Sequence, residues 1–132
     1  MDWKTFKNEI QKLSEKITDK PDIIIGITRG GLVPARLLST YLKVKKMHCI
    51  SVVKNNEERS VVTEITEDMS NKKVLLVEDM LETVRSLVVT KAYLEKKGAN
   101  VKTACLYTMP ISEIKPDYYL KEVDSVLEFP WE

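Results

Sequence analysis

The 132-residue sequence contains little of several residue types that mark particular classes of protein. It has two cysteines, Cys49 and Cys105, and a single histidine, His48. The cysteines lie in separate apolar stretches without the close spacing of a metal-binding pair, so we expect small buried side chains rather than a disulfide or a metal centre. His48 stands alone and is expected to have a structural or incidental role.

Long apolar runs and a charge of one sign are also missing. No run approaches the ~20 apolar residues of a membrane-spanning helix. The first ten residues, MDWKTFKNEI, lack the regions of a secretory signal, which predicts a cytoplasmic protein. Lys and Arg number 21 against 20 Asp and Glu, a net charge of +1. Proteins that bind nucleic acids or membrane surfaces carry a clustered basic excess, so neither partner is expected.

The patterns that are present predict alternating strands and helices. An amphipathic helix with Asp2 as its N-cap is indicated by an apolar stripe spaced by three or four residues, Trp3, Phe6, Ile10, Leu13 and Ile17. Buried strands are expected from continuous apolar runs at 22–27, 47–53, 73–79 and 101–108. Further helices are expected over 32–42 and from about 84 to 97, with Gly98 as a left-handed C-cap.

The remaining segments complete this prediction. The polar segment 54–60 is interpreted as a mobile loop, 61–66 as an edge strand, and the tail as a last strand or two. Strands that alternate with helices favour an α/β fold with a mainly parallel sheet and helices on both faces. We expect one domain over 1–132.

The first strand ends in TRGG, residues 28–31. In open α/β sheets ligands bind beyond the carboxyl ends of the strands. Two glycines allow a tight turn, a helix begins there, and Arg29 adds a cation, which suits an anion such as pyrophosphate. An ordinary turn between a strand and a helix would also explain these residues.

A second unusual strand end lies in VLLVEDMLETVRS, residues 74–86. Adjacent carboxylates, Glu78 and Asp79, either bind Mg²⁺ with ligand hydroxyls or face solvent. Hydroxyl and cationic side chains follow at a helix start, where free N–H groups favour a phosphate: Thr83, Arg85 and Ser86. Acids for a metal and a diol, next to a phosphate seat, indicate a phosphorylated sugar.

Three motifs resemble the type I phosphoribosyltransferase family. VLLVEDMLETVRS resembles its phosphoribosyl pyrophosphate (PRPP) binding motif, and GITRGGLVPARLL resembles the pyrophosphate loop of its xanthine-guanine and hypoxanthine branch. KPDYYLKEVDSVLEFPWE resembles the C-terminal hood of that branch, which would lie at about 108–132. The likeness extends over residues 22–132.

The resemblance implies an enzyme that transfers 5-phosphoribosyl from PRPP to a nitrogenous base, with a purine expected, and releases pyrophosphate with the help of Mg²⁺. Glu78 and Asp79 would bind the ribose hydroxyls directly or through Mg²⁺, and Glu82 would be the catalytic carboxylate. The other binding residues that the resemblance implies are Thr83, Val84, Arg85 and Ser86 for the 5′-phosphate, Thr28, Arg29, Gly30 and Gly31 for pyrophosphate, and Val126 and Leu127 for the base.

The resemblance further implies a flexible loop at 54–60 that closes over the reaction, a cis peptide bond near Thr28–Gly30, and a homo-oligomer such as a dimer. Four positions depart from the family pattern. Glu82 replaces an aspartate, Val84 a glycine, Met109 a lysine that reads the purine, and Val126 an aromatic residue that stacks on it.

These departures keep a second hypothesis open, a phosphoribosyltransferase-fold protein without turnover that binds a nucleotide or PRPP in a regulatory role. A receiver-like signalling domain, suggested by VLLVED, is disfavoured because no lysine ends the last long strand.

Overall fold

The computed structural model describes residues 1–56, 58–81, 85–110, 112 and 115–132. The helices are α1 (Trp3–Lys16), α2 (Leu32–Leu42) and α3 (Arg85–Lys96). The strands are β1 (Ile23–Ile27), β2 (Met47–Ile50), β3 (Val52–Asn55), β4 (Glu58–Val61), β5 (Lys73–Leu81), β6 (Asn100–Thr108) and β7 (Tyr118–Glu122).

Local sequence signals account for the ends of the helices. The Asp2 carboxylate accepts a hydrogen bond from the N–H of Thr5 at 2.8 Å, which confirms it as the N-cap of α1. Pro34 lies in the first turn of α2, where its missing N–H removes no helical hydrogen bond. Gly98 follows α3 with φ of +88°, so the predicted left-handed position is confirmed.

Five strands form the main sheet in the order β2-β1-β5-β6-β7, and every neighbouring pair is parallel. Alternate residues of the strands point to opposite faces. Ile24 of β1 and Leu75 of β5 join a core with α1 and α2, whereas Ile25 and Leu76 join a core with α3. The predicted parallel sheet with helices on both faces is therefore confirmed.

The segment after β2 differs from the prediction. Residues 54–60 were expected to form a loop and 61–66 an edge strand, but β3 and β4 form an antiparallel hairpin, and residues 62–66 are not a strand. The predicted strand 47–53 is accordingly divided between β2 and β3. The prediction was wrong because a two-stranded hairpin outside the main sheet needs no continuous apolar run.

The C-terminal segment folds back onto the start of α1. Trp131 stacks on Phe129 with ring centroids 4.8 Å apart, and it meets Phe6 edge-on at the same distance. Cys105 is buried as expected, but Cys49 is exposed. Within the described residues, no helix combines the length and apolar character needed to cross a membrane.

Candidate active site

The sheet order brings the two unusual strand ends together. β1 and β5 are neighbours, with Gly26 paired to Val77, so the residues that follow each strand emerge at one edge of the sheet. Thr28 is held by the end of β2: its N–H donates to the carbonyl of Ile50 at 2.9 Å, and its hydroxyl lies 2.8 Å from that of Ser51. The Thr28–Arg29 peptide bond is cis, as expected.

Gly30 lies directly against the acidic strand end. A Cβ at this position would fall 2.3 Å from Oδ2 of Asp79, well inside van der Waals contact. Only glycine therefore lets this carboxylate approach the turn that carries Arg29. The close approach places an anionic group and a polypeptide turn suited to anions on the two sides of one cleft.

Position 31 requires glycine for a different structural reason. A Cβ there would lie 2.3 Å from the carbonyl oxygen of Val77 and 2.8 Å from that of Ile27. The N–H of Gly31 donates to the Ile27 carbonyl, and its own carbonyl accepts from Ala35 as α2 begins. Gly31 thus allows α2 to start close to the sheet, with its N-terminus toward the cleft.

Both acids of the pair are partly buried. Burial first, and then the carboxylate of Asp79, raise the pKa of Glu78 to about 8 from its ordinary 4.5. The N–H of Asp79 donates to Glu78 Oε1 at 3.2 Å, and the N–H of Met80 donates to Asp79 Oδ1 at 2.6 Å. Two adjacent carboxylates of this kind are stabilised by a cation.

The donor set fits Mg²⁺ bound together with a substrate. The described residues contain no group of three or more His, Cys, Asp or Glu side chains that could hold a metal ion alone. Mg²⁺ commonly uses one or two carboxylates and completes its octahedron with water and phosphate oxygens. Glu78 and Asp79 could supply these one or two carboxylate ligands.

The cleft has a volume of about 610 Å³ and is lined by Arg29, Gly30, Glu78, Asp79, Met80, Trp131 and Glu132. Sequence reasoning did not place Trp131 or Glu132 there. The terminal P-W-acid was a feature of the hood motif, but its position in the cleft depends on the stacking of Trp131 on Phe129.

Three of the predicted site residues, Glu82, Thr83 and Val84, lie outside the described residues. Arg85 is exposed as the first residue of α3. Ser86 is partly exposed in the first turn, and its carbonyl accepts from the Thr90 hydroxyl at 2.7 Å.

The two predicted base-binding residues lie in the C-terminal segment. Val126 is 56% exposed, and Leu127 packs partly buried against the core beneath α1 and α2. Neither is among the residues that line the cleft. Their contact with a base stays a prediction.

Comparisons with known proteins all identify phosphoribosyltransferases as similar to this chain. Residues 2–132 match the family described as the phosphoribosyl transferase domain. The crystal structure of a purine phosphoribosyltransferase from Pyrococcus horikoshii Ot3 superimposes with a TM-score of 0.91 at 34% identity, covering 100% of this chain and 91% of that one.

Two curated relatives extend the comparison. A hypoxanthine-guanine phosphoribosyltransferase of Lactococcus lactis is 30% identical over 118 residues, which cover 80% of this chain. A xanthine-guanine phosphoribosyltransferase of Idiomarina loihiensis is 25% identical over 116 residues, covering 83% of this chain and 70% of that protein. The match spans 63% of the length of the lactococcal relative.

Proposed function

The chain belongs to the phosphoribosyl transferase domain family, and from this premise we propose that it transfers 5-phosphoribosyl from PRPP to a purine base. In this reaction a base nitrogen forms a bond to C1 of the ribose, the bond from C1 to the pyrophosphate oxygen breaks, and the base loses a proton. Pyrophosphate leaves with the electron pair of the broken bond.

The observation that carries the proposal is the contact between the two strand ends. The Asp79 carboxylate lies where a side chain at position 30 would be, next to Arg29. A site that joins carboxylates to an anion-binding turn suits a ligand with both hydroxyls and phosphates. PRPP carries those groups on one ribose, with hydroxyls at C2 and C3, pyrophosphate at C1 and a phosphate at C5.

The binding roles of the acids and the turn follow from this arrangement. Glu78 and Asp79 would hold the ribose 2′ and 3′ hydroxyls, directly or through Mg²⁺. Bound Mg²⁺ would neutralise negative charge on the pyrophosphate oxygens. Thr28, Arg29, Gly30 and Gly31 would bind the pyrophosphate through backbone N–H groups and the guanidinium. This turn thereby keeps the leaving group in position.

The remaining roles rest on the sequence motif. Thr83, Val84, Arg85 and Ser86 would surround the 5′-phosphate at the N-terminus of α3, where helix N–H groups and the dipole favour an anion. Glu82 would accept the proton that the base loses. The base would lie beneath a hood formed by about 108–132, against Val126 and Leu127.

The location of the protein in the cell and its oligomeric state are part of the same proposal. We propose that the protein is cytoplasmic and forms a homo-oligomer such as a dimer, as its resemblance to the family implies. Sedimentation at micromolar concentration tests the association, and a monomer alone would contradict it.

The direct test is release of pyrophosphate from PRPP and Mg²⁺ with hypoxanthine, guanine, xanthine and adenine, and with orotate as a non-purine. We expect release with at least one purine and none with orotate. Asp79→Asn should reduce it by a factor of about 100 or more, because a carboxylate that binds charge is removed. Glu15→Gln, an exposed acid on α1, is the matched control and should retain full activity.

Val84 and Met109 favour a second candidate, binding of a nucleotide or PRPP without turnover. The same assay separates the two. Tight binding of PRPP by calorimetry with no pyrophosphate release for any base would support the regulatory role. Absence of both would exclude the phosphoribosyl transfer proposal.

A further inference from the structure

A groove of about 610 Å³ lies at the C-terminal end of α2 and shares no lining residue with the active-site cleft. We call it the α2 groove. Three cationic side chains line it, those of Arg36, Lys43 and Lys45, and the described residues that line it include no acid. Val44 and Met47 give it an apolar wall. Because the net charge of the whole chain is only +1, the groove is a local concentration of positive charge.

The guanidinium of Arg36 is positioned by hydroxyl groups, which leave its charge intact. Its Nη1 donates to Oγ1 of Thr40 at 2.6 Å and to Oγ of Ser39 at 3.2 Å. The buried Ser39 hydroxyl in turn donates to the carbonyl of Arg36 at 3.0 Å. Within the described part of the chain, no partner of Nε or Nη2 is recorded. These two nitrogens form the parallel pair of donors that binds a phosphate through two hydrogen bonds.

Carboxylates do not neutralise the α2 groove. Among the residues that the structure describes, none carries a carboxylate within 4 Å of the charged groups of Arg36, Lys43 or Lys45. The next lysine along the chain differs, because Lys46 lies 2.7 Å from Oε2 of Glu67. It is also absent from the described lining of the groove. Cations of like sign repel one another, and a bound anion removes that repulsion.

Stabilisation of the end of α2 does not account for the two lysines. Lysine side chains can bond the last carbonyls of a helix. Here backbone groups already do so, since the N–H of Lys43 donates to the carbonyl of Thr40 at 3.3 Å and that of Val44 to the carbonyl of Ser39 at 3.0 Å. Over the described ranges, neither ammonium is recorded as a donor to these carbonyls. Lys43 also has a left-handed φ of +59°, where glycine would avoid strain.

We propose that the α2 groove is a second ligand site, separate from the catalytic cleft, for a small molecule that carries two or more linked phosphate groups. The Arg36 guanidinium binds one phosphate with its free pair of donors, and the ammonium groups of Lys43 and Lys45 bind the next. A single phosphate carries about two negative charges at pH 7, too few to neutralise three cations.

The linked phosphates could belong to a nucleotide or to an inorganic polyphosphate, and the apolar wall of the groove distinguishes the two sources. A nucleotide base would pack against the thioether of Met47, since sulfur makes favourable contacts with aromatic rings. An inorganic chain would leave this wall uncovered. The proposal does not depend on phosphoribosyl transfer, because no residue of the cleft takes part in it.

Calorimetric titration with tripolyphosphate in EDTA tests this site. Arg36→Gln should weaken binding by roughly 10- to 100-fold, the range of a lost charge-assisted hydrogen bond. Arg36→Lys keeps the charge without the paired donors and should recover only part of that affinity. Lys45→Gln should weaken binding by about two- to fivefold, as expected for an exposed ion pair. Lys96→Gln, which removes an exposed lysine at the end of α3, is the matched control and should leave the affinity unchanged.

Arg29→Gln separates the groove from the catalytic cleft, which Arg29 lines. Tripolyphosphate binding should survive this substitution and should be lost from the double variant that also carries Arg36→Gln. Binding that disappears in Arg29→Gln and persists in Arg36→Gln would assign the ligand to the cleft and overturn the proposal.

Lys43→Gly guards against an effect of misfolding. Glycine relieves the left-handed strain at this position, so the midpoint of urea unfolding should stay the same or rise. Tripolyphosphate binding should nevertheless weaken, because an ammonium group is lost from the groove. A glycine variant that is as stable as the parent and binds tripolyphosphate equally well, together with unchanged binding by Arg36→Gln, would refute the site.

Further probes, titrated into Arg29→Gln, identify the source of the phosphates. Tighter binding of ATP or GTP than of tripolyphosphate would support the site with a nucleotide as its ligand, and equal affinities would support it with an inorganic chain. Inorganic phosphate that binds as tightly as tripolyphosphate would contradict the requirement for linked phosphates. A single-stranded RNA of 20 nucleotides that binds far more tightly than all of these would contradict a small-molecule ligand. No binding of tripolyphosphate by the parent would exclude the site and leave the transferase function standing.

Discussion

The phenol of Tyr107 donates a hydrogen bond of 3.1 Å to Oε1 of Glu9, across 98 residues of sequence. Tyr107 is fully buried on β6, and Glu9 is buried on α1. The same Glu9 oxygen lies 3.3 Å from Nζ of Lys121 on β7. Burial works to raise the pKa of Glu9, but the bonds from Tyr107 and Lys121 outweigh it and hold that pKa below its ordinary value. This contact joins the first helix to the last two strands.

Tyr107→Phe removes the donor and should lower the free energy of unfolding by about 1.5–3 kcal/mol at pH 7, the range for hydrogen bonds to charged groups. A carboxylate with a lowered pKa adds stability above its unfolded pKa and loses it as the pH falls through the folded value. The difference in unfolding free energy between the parent and the variant should therefore narrow as the pH falls through the lowered pKa of Glu9. Urea unfolding at several pH values measures it.

Tyr118→Phe is the matched control for this substitution. No hydrogen bond of the Tyr118 hydroxyl is recorded among the residues that the structure describes, so its removal should cost less than about 0.5 kcal/mol. Equal losses for the two phenylalanine variants would show that the Glu9 contact has no special contribution to stability.

Gly30→Ala and Gly31→Ala should separate binding from folding. At position 30 the atoms nearest to the new methyl group belong to the Asp79 carboxylate, which can move aside. Stability should therefore change little, while PRPP binding with Mg²⁺ falls at least about tenfold. At position 31 it meets the backbone oxygens of Val77 and Ile27, so we expect a stability loss of about 1–3 kcal/mol or more.

Thermal unfolding and PRPP calorimetry on both glycine variants test this difference. The interpretation of the site would be contradicted if Gly30→Ala unfolded as readily as Gly31→Ala, or if it bound PRPP like the parent.

Glu78→Gln should flatten the pH dependence of stability. Because the folded-state pKa of Glu78 is raised to about 8, the folded state holds this proton more tightly than the unfolded chain does. The free energy of unfolding should then fall as the pH rises from about 4.5 to about 8, by up to about 1.4 kcal/mol per pH unit, and level off above.

The glutamine variant cannot titrate at this position, so its stability relative to that of the parent should increase steadily from pH 5 to pH 8. Urea unfolding in EDTA at pH 5, 6, 7 and 8 measures the difference in the free energy of unfolding between the two proteins. Because both proteins share all other titrating groups, the contributions of those groups cancel in this difference. Parallel curves would contradict the raised pKa.

Val84→Gly and Arg85→Ala should move PRPP affinity in opposite directions. If a phosphate binds at the start of α3, glycine at 84 should tighten binding by restoring the residue of the family motif. Loss of the Arg85 guanidinium should weaken binding by about 1.5–3 kcal/mol. Calorimetry with PRPP and Mg²⁺ measures both. No binding by the parent, with none restored by Val84→Gly, would contradict an active transferase.

Local sequence patterns determined much of this protein. The three-to-four spacing from Trp3 to Ile17 predicts α1, because one stripe of a helix must be buried. Continuous apolar runs predict the central strands, since both faces of a parallel sheet are covered, and β1 is buried throughout. The acids and glycines at the strand ends, with the family motifs, identified Thr28–Gly31 and Glu78–Asp79 as the candidate site.

Only the tertiary structure decided which distant residues meet. Spacing along the chain does not state that β1 and β5 are neighbours, and that adjacency alone places Gly30 against Asp79. The hairpin of β3 and β4 escaped prediction because its residues are mostly polar and its strands pair only with each other. Trp131 reaches the cleft through aromatic stacking on Phe129. Local patterns reflect which side chains avoid water, whereas contacts between distant residues depend on strand order and on packing of the whole chain.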